Sequence, residues 1–386
     1  LGLMSDESEK TIKRVLKEWK NLKISGWMDA KKPWFFYSEK LSEKMAPIMG
    51  AKKDEVTIHA STTLNIHCLI SSLYKPKKGK DKILVEDLSF PTDYYAIKSF
   101  LNTKGFSPDK YLKIVESKDG NLIDEQKIID SFTDDVCLAL LPSVLYRSGQ
   151  LLDIEKLTKE AHKKDIIIGF DCSHSAGLVN HKLSKNNVDF AMWSTYKYLN
   201  SGPGGAAGLY LNQKHFGIKP GLAGWFGSDR KKQFDLENSL TPSKNAKVFE
   251  VGTPNLLSMA PLEGSLNIFN EIGIENIHQK AKKITSYLMY LINEYLKDYG
   301  FEIITPKDSE KRGGHVAIKH KEAARINEAL KAKGIIPDYR RPNIIRLAPV
   351  PLYISYFEVY KMVLILKEIM DTKYYSEFEN KRGVVS

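Results

Sequence analysis

Between residues 56 and 192, short apolar runs take turns with amphipathic stretches, and this alternation limits the possible folds more than any other feature. The runs fall at 56–58, 83–85, 112–115, 136–141, 166–170 and 190–192, and helical spacing fills 63–73, 93–101, 125–132 and 153–163 between them. Strands that follow one another through helices pair in parallel, because the crossover returns the chain to the same end of the sheet. The expected fold class is therefore α/β, a large domain whose mostly parallel sheet is flanked by helices. Ahead of it, Ile12, Val15, Leu16, Trp19 and Leu22 lie on one face of a helix predicted over 9–22, and a second helix is predicted over 39–49.

Past residue 258 the texture changes. A long helical stretch over 258–296, broken near Gly273, leads to strand-like runs at 301–304 and 315–318. A helix at 322–332, a run at 344–347 and a closing helix at 354–370 complete a smaller C-terminal α+β domain. The expected division is 1–50 as an N-terminal helical segment, 51–257 as the cofactor-binding large domain and 258–386 as the small domain. The basic tail beyond Tyr375 is expected to fray. The chain begins at Leu1 without an initiator Met, so further residues are expected upstream.

Composition removes several classes of function. No run approaches the roughly 18 apolar residues of a membrane span, so no membrane partner is expected. Cys68, Cys137 and Cys172 are too scattered for a disulfide framework or a metal site, which favours a reducing, cytoplasmic setting. The net charge of +11 invites a nucleic-acid reading, but only 9 of the 58 basic residues are Arg. The lysines alternate with acids, as over Glu9–Glu18, so the charge reads as a solvated surface and no nucleic-acid partner is expected.

In open α/β sheets ligands gather at the carboxyl ends of the strands. Those ends carry Ser61, Thr62 and Thr63, then Phe90 to Asp93, Ser143, Asp171 to His174, and Ser194 to Lys197, followed by the glycine-rich 202–208. Each alone has a plain explanation, since hydroxyls cap helices and histidines pack in cores. The glycine stretch formally matches a dinucleotide fingerprint, but a strand follows it where a helix is required, which rejects a nicotinamide or flavin site. Together the residues suit pyridoxal phosphate. Lys197 stands 26 residues after Asp171, at the next strand end. A lysine amine can bond the cofactor aldehyde, and a carboxylate keeps the pyridine nitrogen protonated. Hydroxyls and N–H groups at a helix start suit a phosphate dianion.

The run from Phe190 to Gly205, FAMWSTYKYLNSGPGG, resembles the cofactor-lysine segment of fold-type I pyridoxal phosphate enzymes. With Phe90 to Ile97, Gly169 to Gly177, Gly224-Trp225-Phe226-Gly227 and Arg341 to Tyr353, it is similar to the kynureninase family over nearly the whole chain. The resemblance implies that Lys197 holds the cofactor, Asp171 pairs with its ring nitrogen, Asp93 and His174 sit near the ring, and Phe90 stacks on it. It places Thr62, Thr63, Tyr196 and Ser143 around the phosphate and the lysine linkage. Trp225 and Thr253 would reach the cofactor phosphate across the interface of a homodimer. Arg346 would clamp the substrate α-carboxylate through a fork that lysine cannot supply, with Trp27 and Phe226 also on the substrate side. At Trp27 better-known members carry a histidine that recognises the kynurenine ring, so the choice between kynurenine and its 3-hydroxy form stays open.

The activity implied is hydrolysis of L-kynurenine, or 3-hydroxykynurenine, to anthranilate, or 3-hydroxyanthranilate, and L-alanine, with Tyr196 as proton relay. A class V-type aminotransferase, or another pyridoxal phosphate enzyme acting on an amino acid, is the alternative, since the same lysine, aspartate and arginine would serve it. A cysteine desulfurase needs a thiol on a mobile loop late in the large domain, and none of the three cysteines is so placed.

Overall fold

The computed structural model describes residues 1–381. The chain divides into two compact units. The larger comprises Leu1–Ser117, Ile123–Ser143 and Asp153–Ile274; the smaller comprises Lys118–Leu122, Val144–Leu152 and Glu275–Ser386. Among the described residues no helix is long and apolar enough to cross a membrane.

Seven strands form the sheet of the larger unit: β1 Val56–His59, β2 Lys82–Glu86, β3 Leu112–Val115, β4 Val136–Pro142, β5 Ile167–Asp171, β6 Phe190–Trp193 and β7 Ala207–Leu211. Their order across the sheet is β1-β7-β6-β5-β4-β2-β3. Neighbours from β6 to β3 pair in parallel, and β7 runs antiparallel to both β1 and β6. Strands β1, β4, β6 and β7 are buried along their whole length. A strand covered on both faces needs apolar side chains on both, which is why β4, β6 and β7 read as continuous rather than alternating runs. The α/β class expected from the sequence is the one the unit adopts.

Helices Thr62–Leu73 and Pro91–Thr103 lay Ile66, Leu69, Ile70, Leu73, Ile97, Phe100 and Leu101 into one core with Ile83, Leu138, Leu140, Phe190 and Met192. Fully burying a side chain of this kind is worth about 1.5–3 kcal/mol, so the layer fixes where each helix begins. The first begins at the cap Ser61, whose hydroxyl accepts from the Leu64 N–H at 3.3 Å; the second begins at Pro91, just after Phe90. Both starts lie at strand ends, which puts Thr62, Thr63 and Thr92 together.

Helix Asp6–Leu22 packs along helix Leu256–Ile272. Ser8 Oγ donates to Pro261 O at 2.8 Å and Thr11 Oγ1 to Ala260 O at 2.7 Å. Residues 1–50 and 258–274 therefore group with the larger unit, where the sequence suggested a separate segment and a boundary at 257.

In the smaller unit, β8 Glu302–Ile303, β9 Val316–Lys319, β10 Asp338–Arg340 and β11 Ile344–Leu347 form an antiparallel sheet in the order β10-β11-β9-β8. Helices Ile274–Tyr295, Ala323–Ala332 and Tyr356–Asp371 supply Ile284, Leu288, Ile326, Leu330, Val363 and Leu366 to its core. A short helical turn follows at Tyr374–Glu377. The tail expected to fray falls partly on residues 382–386, which lie outside the described residues.

Candidate active site

Asp171 closes β5, and its Oδ1 accepts the Ser173 N–H at 2.7 Å. The next strand, β6, ends at Trp193 and delivers Ser194 to Lys197 beside it. Ser173 Oγ accepts the Ser194 N–H at 3.0 Å, and Ser194 Oγ lies 3.0 Å from Thr62 Oγ1. Thr63 Oγ1 pairs with Thr92 Oγ1 at 2.7 Å. Hydroxyls thus tie the lysine loop to one helix start, and that helix start to the one that follows Phe90.

Lys197 Nζ lies 5.9 Å from the centroid of the Phe90 ring and 5.7 Å from that of Tyr196. Phe90 leaves 40% of its surface open. Asp93, three residues on, is buried, and its Oδ1 has no hydrogen-bond partner among the described residues. Burial, with the neighbouring charges of Asp171 and Glu86, holds the Asp93 carboxyl well above the usual carboxylate range, against the pull of Lys197. Glu86 ends β2, accepts from Leu88 N and Ser89 Oγ at 2.6 Å each, and is pushed up by burial to about 7.

Pyridoxal phosphate fits this arrangement. A buried carboxyl oxygen without a partner, next to a second buried carboxylate, calls for a cationic N–H donor such as a pyridinium. The N–H groups of Thr62 and Thr63 precede the first bond inside their helix, the Asn65 N–H to Ser61 O, and so are available to an anion.

The lysine loop is braced from outside as well. Thr195 Oγ1 pairs with Ser201 Oγ and donates to Ala206 O, both at 2.5 Å. The Gly2 N–H donates to Tyr196 O at 2.9 Å. A Cβ on Gly2 would sit 2.4 Å from Lys197 O, so only glycine fits that approach.

Ser143 and His174 lie next to Asp171, while Phe226, Trp225 and Trp27 belong to other stretches of the larger unit. Ser143, expected at the phosphate, is wholly buried; its N–H and Oγ both reach Asp171 O, at 2.8 and 3.1 Å, and its Oγ pairs with Ser175 at 2.6 Å. It continues the β4–β5 ladder and secures Asp171. Phe226, expected on the substrate side, is buried beneath Arg230, whose guanidinium carbon lies 4.5 Å from the ring centroid. Trp225 beside it is 45% exposed, and its Nε1 donates to Thr253 Oγ1 at 3.2 Å. Trp27 packs edge-on to Trp34, 6.0 Å between ring centroids. His174 lies in the turn after Asp171, partly exposed.

Within the smaller unit, Arg346 stands on β11 directly opposite Asp338 on β10. Its Nε and Nη2 are engaged by Asp338 Oδ2, and its Nη1 donates to Tyr146 O at 2.6 Å. Asp338 also accepts from Arg340 Nε at 3.1 Å. The sequence reading missed Asp338, Thr92 and Ser173. The last two were legible as hydroxyls at strand ends, whereas Asp338 acquires its role only through strand pairing.

A kynureninase from Geobacillus thermodenitrificans (strain NG80-2) is 52% identical to this protein over 386 residues, covering 100% of this chain and 90% of that relative. The chain belongs to the kynureninase family. A second kynureninase, from Bacillus anthracis, is 52% identical with the same coverage, and the family described as Kynureninase C-terminal domain matches residues 277–366. Among solved structures, the apo cysteine desulfurase of Thermococcus onnurineus NA1 superposes with a TM-score of 0.79 at 17% identity, covering 96% of this chain and 93% of that one. The cystine C-S lyase C-DES in complex with cysteine persulfide reaches 0.81 at 17% identity, with 95% of each chain covered. At that identity the likeness is one of fold. The thiols differ from what desulfurase chemistry asks: Cys68, Cys137 and Cys172 are all buried, and burial pushes each up to about 12. None of these buried cysteines provides a thiolate nucleophile.

Proposed function

We propose that this protein hydrolyses L-kynurenine, or its 3-hydroxy form, to anthranilate, or 3-hydroxyanthranilate, and L-alanine, using pyridoxal phosphate. The reading is carried by the meeting of Lys197, Phe90 and the buried Asp93 and Asp171 at the carboxyl ends of β6, β2 and β5, in a chain half identical to kynureninases. The cofactor supplies an electron sink for the pair left at Cα when its proton departs, and for the pair at Cβ when the Cβ–Cγ bond breaks.

The remaining work falls to side chains. Lys197 would hold the cofactor through its amine, and the same amine would take the proton from the substrate Cα. Asp171, with Asp93 beside it, holds a proton on the pyridine nitrogen. Phe90 covers one face of the ring, with His174 nearby, while Thr62 and Thr63 meet the phosphate. Arg346 clamps the α-carboxylate of the substrate, and Trp27 adjoins its aromatic end. Tyr196 relays the proton that Cβ takes up as water adds to the γ-carbonyl carbon; the water oxygen ends in the carboxylate of anthranilate. General acid–base help of this kind is worth about 10²–10⁴-fold. The active form is a homodimer in which Trp225 and Thr253 reach a cofactor phosphate across the interface.

The test is to load the purified protein with pyridoxal phosphate, trap the linkage with borohydride and add L-kynurenine or 3-hydroxykynurenine to an untrapped sample. Label on Lys197 and fluorescent anthranilate or its 3-hydroxy analogue are expected. Label on Lys197 with neither product from either substrate overturns the proposed reaction, and no label at Lys197 overturns the cofactor assignment.

A further inference from the structure

Two separate segments of the larger unit are pressed together at Trp225. On one side runs 224–227, on the other 248–253. A Cβ on Gly224 would fall 1.8 Å from Val251 O, and one on Gly227 2.5 Å from Val248 O. The two backbones approach more closely than any side chain permits, and the contact ends in the bond from Trp225 Nε1 to Thr253 Oγ1. Backbone segments held this close need something to hold them.

Arg230 and Glu250 occupy that place. Glu250 is buried, accepts from Ser38 Oγ at 2.8 Å and Thr57 Oγ1 at 2.6 Å through Oε1, and takes Arg230 Nη2 at 3.0 Å on Oε2. Arg230 Nη1 donates to Phe226 O at 2.7 Å and to Gln233 Oε1 at 3.0 Å, and its Nε donates to Glu39 at 2.9 Å. One planar guanidinium therefore grips the carbonyl next to Trp225 and the carboxylate three residues before Thr253. A lysine, with one compact ammonium, cannot span both.

We propose that Arg230 and Glu250 are a positioning pair that holds Trp225 and Thr253 in register for a cofactor phosphate. The inference rests on the reading above, in which Trp225 and Thr253 meet that phosphate. Neither Arg230 nor Glu250 touches the cofactor; they act through the two segments they join.

The discriminating measurement compares pyridoxal phosphate with pyridoxal, which lacks the phosphate. The affinity of each is read from the absorbance of the lysine-linked cofactor, using holoenzyme equilibrated by dialysis. Arg230→Lys is expected to weaken pyridoxal phosphate about tenfold, the loss of one hydrogen bond to a charged group, and to leave pyridoxal within about twofold. Glu250→Gln keeps the shape and the contacts with Ser38 and Thr57; it should act in the same direction, and it covers the case in which Arg230→Lys fails to fold. Equal loss of both ligands in the variants that fold means general damage and overturns the proposal, as does wild-type affinity for pyridoxal phosphate in them. Trp225→Phe and Thr253→Val separate the two levels. If they weaken pyridoxal phosphate while Arg230→Lys and Glu250→Gln do not, only the positioning pair fails. If they bind it normally, the phosphate role of Trp225 and Thr253 fails.

Discussion

Glu263 offers a test that runs from one buried carboxylate to the lysine loop. It lies in helix Leu256–Ile272 with its side chain 5% exposed, and it receives Arg14 Nη2, Lys32 Nζ and Tyr37 Oη at 2.5 Å each. Burial alone would raise its pKa, but Lys32, Tyr37 and Arg14 outweigh burial and hold it below the ordinary carboxylate range. Breaking a fully buried pair costs about 3–5 kcal/mol, while exposed pairs are worth about 0–1 kcal/mol. The Arg14 and Lys32 side chains are 20% and 31% exposed, so the discounted cost of Glu263→Gln is about 2 kcal/mol. For a unit of this size that is a fall of about 4–8 °C in the thermal midpoint. The carboxylate is stabilising because it is easier to ionise when folded. Its contribution is therefore complete above its unfolded pKa, near 4.5, and fades as the pH falls through the lower folded value. The gap between wild type and Glu263→Gln should be level from about pH 6 to 8 and close below about pH 4.5. Calorimetry across that range reads both quantities. A midpoint within about 1 °C of wild type at pH 7, or a gap that widens in acid, refutes the reasoning. The same substitution loosens helix Asp6–Leu22, which anchors the segment whose Gly2 braces the lysine loop.

Two further outcomes follow from the geometry. Gly2→Ala has to lift the N-terminal segment away from Lys197 O; an overpacking cost of about 1–3 kcal/mol, released by that movement, should appear as a lower kcat with little change in midpoint. Wild-type turnover in steady-state assays would show that the brace is idle. Asp338→Asn removes the charge that Arg346 and Arg340 share and leaves two guanidiniums facing each other, so KM for the amino-acid substrate should rise about tenfold with kcat within about twofold. A falling KM would mean that Asp338 competes with the substrate carboxylate rather than orienting its partner.

The larger unit was legible because most of its strands, β2 and β4 to β7, are buried along nearly their whole length and so appear as apolar runs. Three features resisted reading for physical reasons. Strand β10 is only Asp338-Tyr339-Arg340, polar and at a sheet edge, and it exists because β11 pairs with it. The smaller unit takes in residues 118–122 and 144–152 from the middle of the chain, and no local property marks such pieces. Glu263 reads as a surface acid in isolation. Its signal is its setting, for it is the first charged residue in a helix that is otherwise apolar or small from Leu256 to Leu266. A lone charge in a helix that is apolar all round has to be paired.

The site shows why single residues misled and their set did not. Ser61, Thr62, Thr63, Thr92, Ser173 and Ser194 each invite the same reading, a hydroxyl near a helix start or a turn, and Ser61 is indeed a cap. The others form pairs across strand ends. Ser173 bonds Ser194, Ser194 meets Thr62, and Thr63 meets Thr92. A hydroxyl can donate and accept at once, so short side chains link the ends of neighbouring strands, β5 and β6, and the ends of strands far apart in the sheet, β1 and β2, where a longer residue would fill the space a ligand needs. That choice of residue leaves Lys197 Nζ 5.9 Å from the centroid of the Phe90 ring, and it was made in four separate stretches of chain. Local propensity accounts for each stretch singly; what the four share is their place at the carboxyl ends of β1, β2, β5 and β6.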